Sequence, residues 1–133
     1  MLERLFANQR GFTLLEMLIV ISIVGVLAAV AVPRFTNAVA LANTARIQSD
    51  LQVLNAAVVM YQTEKGTNPT DIKDLGAYVL DIDNVKPPKG ECRLKDGSSF
   101  TVKATSYGLV SDAKDGMQAT CEGKKLSEFW RKE

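Results

Sequence analysis

The chain reads as an α+β protein, one long N-terminal helix packed along its second half against a small antiparallel β-sheet. Three observations predict this. Residues Phe12 to Val32 form an almost unbroken apolar run of 21 residues. Beyond it, Ile47, Leu51, Leu54, Val58 and Tyr61 recur at spacings of 4, 3, 4 and 3, the single stripe of an amphipathic helix. After residue 90, short strand-like runs follow, the first two separated by Asp96-Gly97, a hairpin signal.

The first element is the apolar run. Its length matches the ~20 residues a helix needs to cross a hydrocarbon core of about 30 Å. Glu16 lies five residues into it, and a carboxylate inside such a segment costs roughly 2.5–3.5 kcal/mol on insertion scales, which marks it as a functional position. The bland alternative is that Glu16 reaches back to the headgroups, as acids near helix starts do. Past the run, Asn43, Thr44, Arg46, Gln48, Ser49, Asp50, Gln52 and Asn55 fall mostly off the apolar stripe. Gly66 is a natural stop, and Asn68-Pro69 forbids continuation. A helix over about 13–64 would be roughly 78 Å long.

Two positions weaken that helix. Pro33 removes one backbone hydrogen bond and presses its ring on the preceding turn, and Gly25 costs about 1 kcal/mol relative to alanine. Val26, Val30 and Val32 lie between them and favour helices less than unbranched residues. An ordinary proline kink and a local unwinding on assembly are both open.

The head follows. Thr70 or Asp71 can cap a short helical turn over Ile72–Tyr78, and Asp81, Asp83 and Asn84 form an acidic loop before Pro87-Pro88-Lys89-Gly90. Strand-like runs cover 92–95, 100–105, 107–110 and 117–121, and Phe100, Val102 and Ala104 alternate to give a buried face. One sheet laid on the amphipathic half of the helix would bury both faces.

Residues 9–35 carry the most specific signal. A short polar leader ends at Arg10-Gly11, and Phe12-Thr13-Leu14-Leu15-Glu16 opens the apolar stretch. This pattern resembles the class III signal of type IV pilins and type II secretion pseudopilins, and Pro33 matches a proline of that family. The resemblance implies that a prepilin peptidase cuts between Gly11 and Phe12 and methylates the new N-terminus at Phe12. It implies that Glu16 pairs with such an amine to set the register of an incoming subunit. It also implies melting of the helix near Gly25 and Pro33 in the filament. The organisation expected is a leader over 1–11, a transmembrane and assembly helix over 12–32, the amphipathic half over 33–65 and a globular head over 66–133. The fold expected is pilin-like.

The placement of the cut has a physical meaning. An ordinary secretory signal is cleaved after its apolar region at a small-residue site; here Pro33-Arg34-Phe35 follows the run, so the helix stays on the mature chain. Arg4 and Arg10 against Glu3 keep the leader cytoplasmic by the positive-inside rule, and the head faces outward. Removing those three from 16 basic and 15 acidic residues leaves 14 of each, so bulk charge implies no nucleic-acid partner. The chain has two cysteines, Cys92 and Cys121, and an even count in an oxidising compartment reads as a disulfide. Closing a loop of about 30 residues stabilises by roughly 3–4 kcal/mol in the chain-entropy account. With about fifty residues spent on the helix, the head is small and marginal alone.

Other sites weigh less. Asp112, Asp115 and Glu122 beside Gly116 suggest a calcium loop, which pseudopilins of this resemblance carry, but the spacing lacks the D-x-D-x-D-G pattern. Asp81-x-Asp83-Asn84 is a sparser candidate of the same kind. No metal or other cofactor is assigned. Lys124, Lys125, Arg131 and Lys132 with Phe129 and Trp130 form a basic, aromatic tail of a type that binds single strands. Glu122, Glu128 and Glu133 dilute it, and a packed, solvated face is the simpler account. Histidine is absent, and neither a phosphate loop nor a paired-carboxylate pocket appears, so no enzyme is expected.

The function expected is a structural subunit, closest to a type IVa-like major pilin. It would be held in the cytoplasmic membrane as a single-pass precursor and polymerised into an extracellular fibre. A pseudopilin of type II secretion and a monomeric membrane-tethered binding module are the alternatives. The partners implied are the prepilin peptidase, an inner-membrane platform protein, an assembly ATPase and further copies of the chain.

Overall fold

The structure, a computed structural model, describes residues 11–129. Helix α1 runs over Leu14–Lys65, within one residue of the span expected at either end. The chain divides into two compact units after Thr36.

In the first unit α1 is bare on every side. Its apolar window has a mean hydropathy of 2.7 with no residue buried, and Leu14, Ile21, Val26 and Leu27 are all exposed. A helix apolar all round is stable only inside lipid or among other helices. It is long and apolar enough to cross a membrane. In the single chain α1 continues through both Gly25 and Pro33; the melting expected there belongs to the filament. One lost hydrogen bond leaves the adjacent turns intact, and the Thr36 hydroxyl bonds back to the carbonyls of Pro33 (3.0 Å) and Val32 (3.3 Å).

In the second unit the predicted stripe is the core. Ile47, Leu51, Leu54 and Val58 are buried, joined by Ala40, Thr44 and Ala57, while Tyr61 packs at the edge. Against them lie Leu75, Val79, Cys92, Val102, Tyr107, Ala119, Cys121 and Phe129. Gly66 ends the helix at φ +68, a left-handed position that an L side chain strains to adopt. Asp71 rather than Thr70 caps the next turn, a 3₁₀ helix over Ile72–Ala77. Asp71 accepts from the Lys73 amide, and Asp74 reaches back to the Asp71 amide, a reciprocal capping box. A second 3₁₀ turn covers Ile82–Asn84.

The strands are β1 (Gly90–Arg93), β2 (Ser99–Val102), β3 (Gly108–Asp112), β4 (Gly116–Cys121) and β5 (Lys124–Lys125), followed by the single turn α2 (Leu126–Phe129). The expected single sheet is corrected: β1 and β2 form one antiparallel pair, and β3, β4 and β5 form a separate three-stranded sheet in that order. The cause lies between β2 and β3. Glu122 accepts the amides of Lys103 (2.6 Å) and Ala104 (2.5 Å), and the buried Tyr107 donates its hydroxyl to Asp50 of α1 at 2.6 Å. These contacts carry the chain away from β2 before β3 begins. Glu122 (φ +51) and Gly123 (φ +79) form the two-residue turn from β4 to β5, the doubly left-handed geometry that matches strand twist.

Polar residues flanking the stripe tie both sheets to α1. The Asn43 amide donates to Glu91 O at 2.9 Å, and Thr44 Oγ1 accepts the Arg93 amide at 2.7 Å. Gln48 donates to Phe129 O at 2.6 Å, and Asn55 Oδ1 accepts the Ala119 amide at 2.7 Å. No buried side-chain polar atom among the described residues lacks a partner.

Candidate functional site

The candidate site is the start of α1. Thr13 precedes the first helical residue, and its hydroxyl accepts the Glu16 amide at 3.1 Å. The Glu16 carboxylate accepts the Thr13 amide at 2.8 Å and the Thr13 hydroxyl at 3.1 Å. This is a capping box, Thr-x-x-Glu, which satisfies two orphan donors reciprocally. The spacing is legible in the sequence, and membrane cost alone concealed it. Glu16 therefore has a local partner, and its carboxylate is held at the first turn, beside the backbone that joins Thr13 to Phe12. An amine on Phe12 would lie one residue from that carboxylate.

Gly11 and Phe12 are exposed, and a Cβ built on Gly11 meets nothing within 4 Å. No packing inside the chain requires glycine there. Gly25 is equally open. Arg4, Arg10 and Glu3 of the expected leader lie outside the described residues.

Cys92 on β1 and Cys121 at the end of β4 are both fully buried in the same core cluster and stand as free thiols, so the expected disulfide is not formed in this structure. Burial, then the nearby Glu122 carboxylate, pushes Cys92 up, and its thiol donates to Phe100 O at 3.2 Å. The same two causes, with Cys92 itself third, push Cys121 up to about 11. Cys92 belongs to the two-stranded sheet and Cys121 to the three-stranded one.

The calcium candidates are otherwise engaged. The Lys125 ammonium contacts Asp112 directly and Asp115 at 3.2 Å, while Glu122 serves the 103–104 amides. Asp81 accepts from the Asn84 side chain at 2.7 Å. Among the described residues no group of three metal-ligating side chains converges.

The described part of the basic tail is packed and paired. Phe129 is buried edge-on to Phe100 at 6.4 Å. Lys124 stands over the Phe100 ring at 5.2 Å and pairs with Glu128 at 3.5 Å. Trp130, Arg131, Lys132 and Glu133 lie outside the described residues.

A profile described as the prokaryotic N-terminal methylation motif matches residues 6–32, the stretch holding Gly11, Phe12 and Glu16. The chain is 41% identical over 113 residues to type II secretion system core protein G of Dickeya chrysanthemi, covering 82% of this chain and 72% of that one. It is 33% identical over 125 residues to type IV major pilin protein PilE1 of Neisseria gonorrhoeae, covering 94% and 70%. The core protein G of Klebsiella pneumoniae is 42% identical over 72 residues, covering 54% of this chain and 51% of that protein, about half its length. No solved structure gives a significant match.

Proposed function

Because this chain belongs to the type IV pilin and type II secretion pseudopilin family, we propose that it is the structural subunit of a type IV pilus. The apolar half of α1 holds it in the cytoplasmic membrane, and the same half later forms the core of an extracellular fibre. The observation that carries this reading is the uncovered helix: an apolar face exposed all round in a chain whose head has its own buried core. Such a surface finds its solvent in lipid before assembly and in neighbouring copies afterwards.

Processing belongs to the same reading. A prepilin peptidase cuts between Gly11 and Phe12 and methylates Phe12, and an inner-membrane platform protein and an assembly ATPase extract the subunit. The open surroundings of Gly11 speak for an external demand at that position. Replacing Gly11 with a bulky residue should leave uncut precursor in the membrane, read by N-terminal sequencing; a mature start anywhere but Phe12 overturns the assignment. In the exported protein Cys92 and Cys121 form a disulfide joining β1 to β4. Relatives named as pilins and as a secretion-system core protein favour a structural part over a catalyst.

The pseudopilin reading is the second one: over more than 110 residues, identity is 41% and 34% to two core protein G sequences and 33% to the gonococcal pilin. Electron microscopy of filaments sheared from the cell surface, with mass spectrometry of their subunit, tests the choice. Long surface filaments made of this chain support the pilus. Their absence, together with loss of protein export on deletion, supports the pseudopilin.

A further inference from the structure

Two surface features of the head are not used by its own packing. The first is the tip at 79–84. Leu80 is 96% exposed, whereas Val79 is buried and Ile82 packs on the core. The backbone presenting it is fixed: Asp81 is left-handed at φ 57, and Asn84 donates its amide to Asp81 O at 2.9 Å and its side chain to Asp81 Oδ2 at 2.7 Å. Asp81 and Asp83 flank the leucine, and no basic residue occurs between Asp74 and Val85. The tip is an apolar knob on an acidic turn.

The second is a cleft of about 500 Å³ floored by Leu41, Leu94 and Phe129 and rimmed by Arg93 and Lys95. The Arg93 guanidinium donates only to neutral oxygens, Asn37 Oδ1 at 2.7 Å and Gly97 O at 3.2 Å. Lys95 joins no ion pair among the described residues. Asp96, the one carboxylate of the lining, is turned into its own loop, accepting the Ser98 amide and hydroxyl. The cleft is apolar below and basic above.

The two features attach to opposite ends of the head's part of α1. The tip is held by Tyr78, whose ring lies 6.1 Å from Tyr61 and whose hydroxyl bonds Glu64; the cleft begins at Asn37 and Leu41. Some twenty helical residues separate them, about 30 Å, so one copy cannot satisfy itself. Charge and apolar complementarity match the acidic knob to the basic cleft, and two unlike surfaces in contact leave one of each free to recruit a further copy. We propose that the Leu80 tip of one copy docks head to tail into the Leu41–Leu94–Phe129 cleft of a second copy. The contact rests on the reading of this chain as a polymerising subunit and names which surfaces of the head meet.

The test uses the full chain in cells that produce it. Filaments from a Leu80→Cys, Leu41→Cys double variant should give, after mild oxidation, a ladder of cross-linked oligomers, and each single variant should give none. Dimers from Leu80→Cys alone would place tip on tip and overturn the contact. Reversing the tip with Asp83→Lys, whose exposed carboxylate has no partner among the described residues, or the rim with Lys95→Glu, should cut filament yield about tenfold, and combining the reversals should restore it. Leu80, Leu41 and Lys95 are exposed, so a folding defect does not explain such losses. Normal filaments without a ladder overturn the contact and leave the assembly reading standing. A parental chain found in no filament overturns both.

Discussion

At residue 16 a carboxylate closes the first turn of α1 on Thr13, and the same carboxylate is proposed to meet the Phe12 amine of a processed neighbour. Substitution separates these roles. Glutamine keeps the capping box, since Gln serves as well as Glu at that position, but it removes the charge. Alanine removes both the charge and the carboxylate's share of the cap. If the charge sets register, Glu16→Gln and Glu16→Ala should both be inserted and cleaved normally yet form few or no filaments. If the cap is the whole role, Gln should assemble like the parent; filament counts at matched membrane levels decide. The thiols give a second residue-level test. Exported protein should show no free thiol by intact mass after alkylation, and two alkylated cysteines without reductant would refute the bridge. The cysteines show a limit of sequence reading: the sequence names the two candidates, but their joint burial, one in each sheet, depends on how residues 103–107 cross α1.

At the scale of elements, α1 was legible almost to the residue because its stripe, its glycine stop and its apolar run are local signals. The hairpin at Asp96-Gly97 and the strand at 117–121 were legible for the same reason. The split into two sheets was not, because it depends on long-range contacts of Glu122 and Tyr107 that no local period encodes. Nor were the polar flanks of the stripe, which read as solvent-facing although Asn43, Thr44, Gln48 and Asn55 bind strand and C-terminal backbone. Asn55 gives the sharpest test. Asn55→Ala would strand the amide of Ala119, itself fully buried, and an unsatisfied buried donor costs about 1–3 kcal/mol. Chemical denaturation of the detergent-solubilised chain should show that loss, whereas Gln52→Ala, on the exposed face, should show almost none.

For the molecule as a whole, the titrating groups define a window of stability. The Tyr78 hydroxyl holds Glu64 below the usual carboxylate range, the Asp71 and Thr70 amides hold Asp74 there, and the Ser98 hydroxyl and amide hold Asp96 there. The Lys114 amide, then Lys125, do the same for Asp112. Depressed carboxylates contribute fully above their unfolded values, about 4, and that contribution is lost as pH falls through their lower folded values. On the alkaline side Tyr78 is pushed up to about 12 by Glu64, and reduced Cys121 to about 11. Raised groups contribute below their unfolded values and lose that contribution as pH rises through the folded ones. Melting temperature should therefore be flat from about pH 5 to about 8.5 in the reduced head and to about 10 once the thiols are bridged, the unfolded thiol and tyrosine values setting those edges. Identical alkaline edges in the two redox states would contradict the thiol burial. The side-chain anchors of α1 have a mechanical consequence as well. They fasten the helix at residues 43, 44, 48, 50 and 55 to both sheets and to the C-terminal turn. A pull transmitted through the helix is thus shared among several attachments at once, instead of opening one strand ladder bond by bond. A fibre built on such heads would resist tension through many short links that fail together.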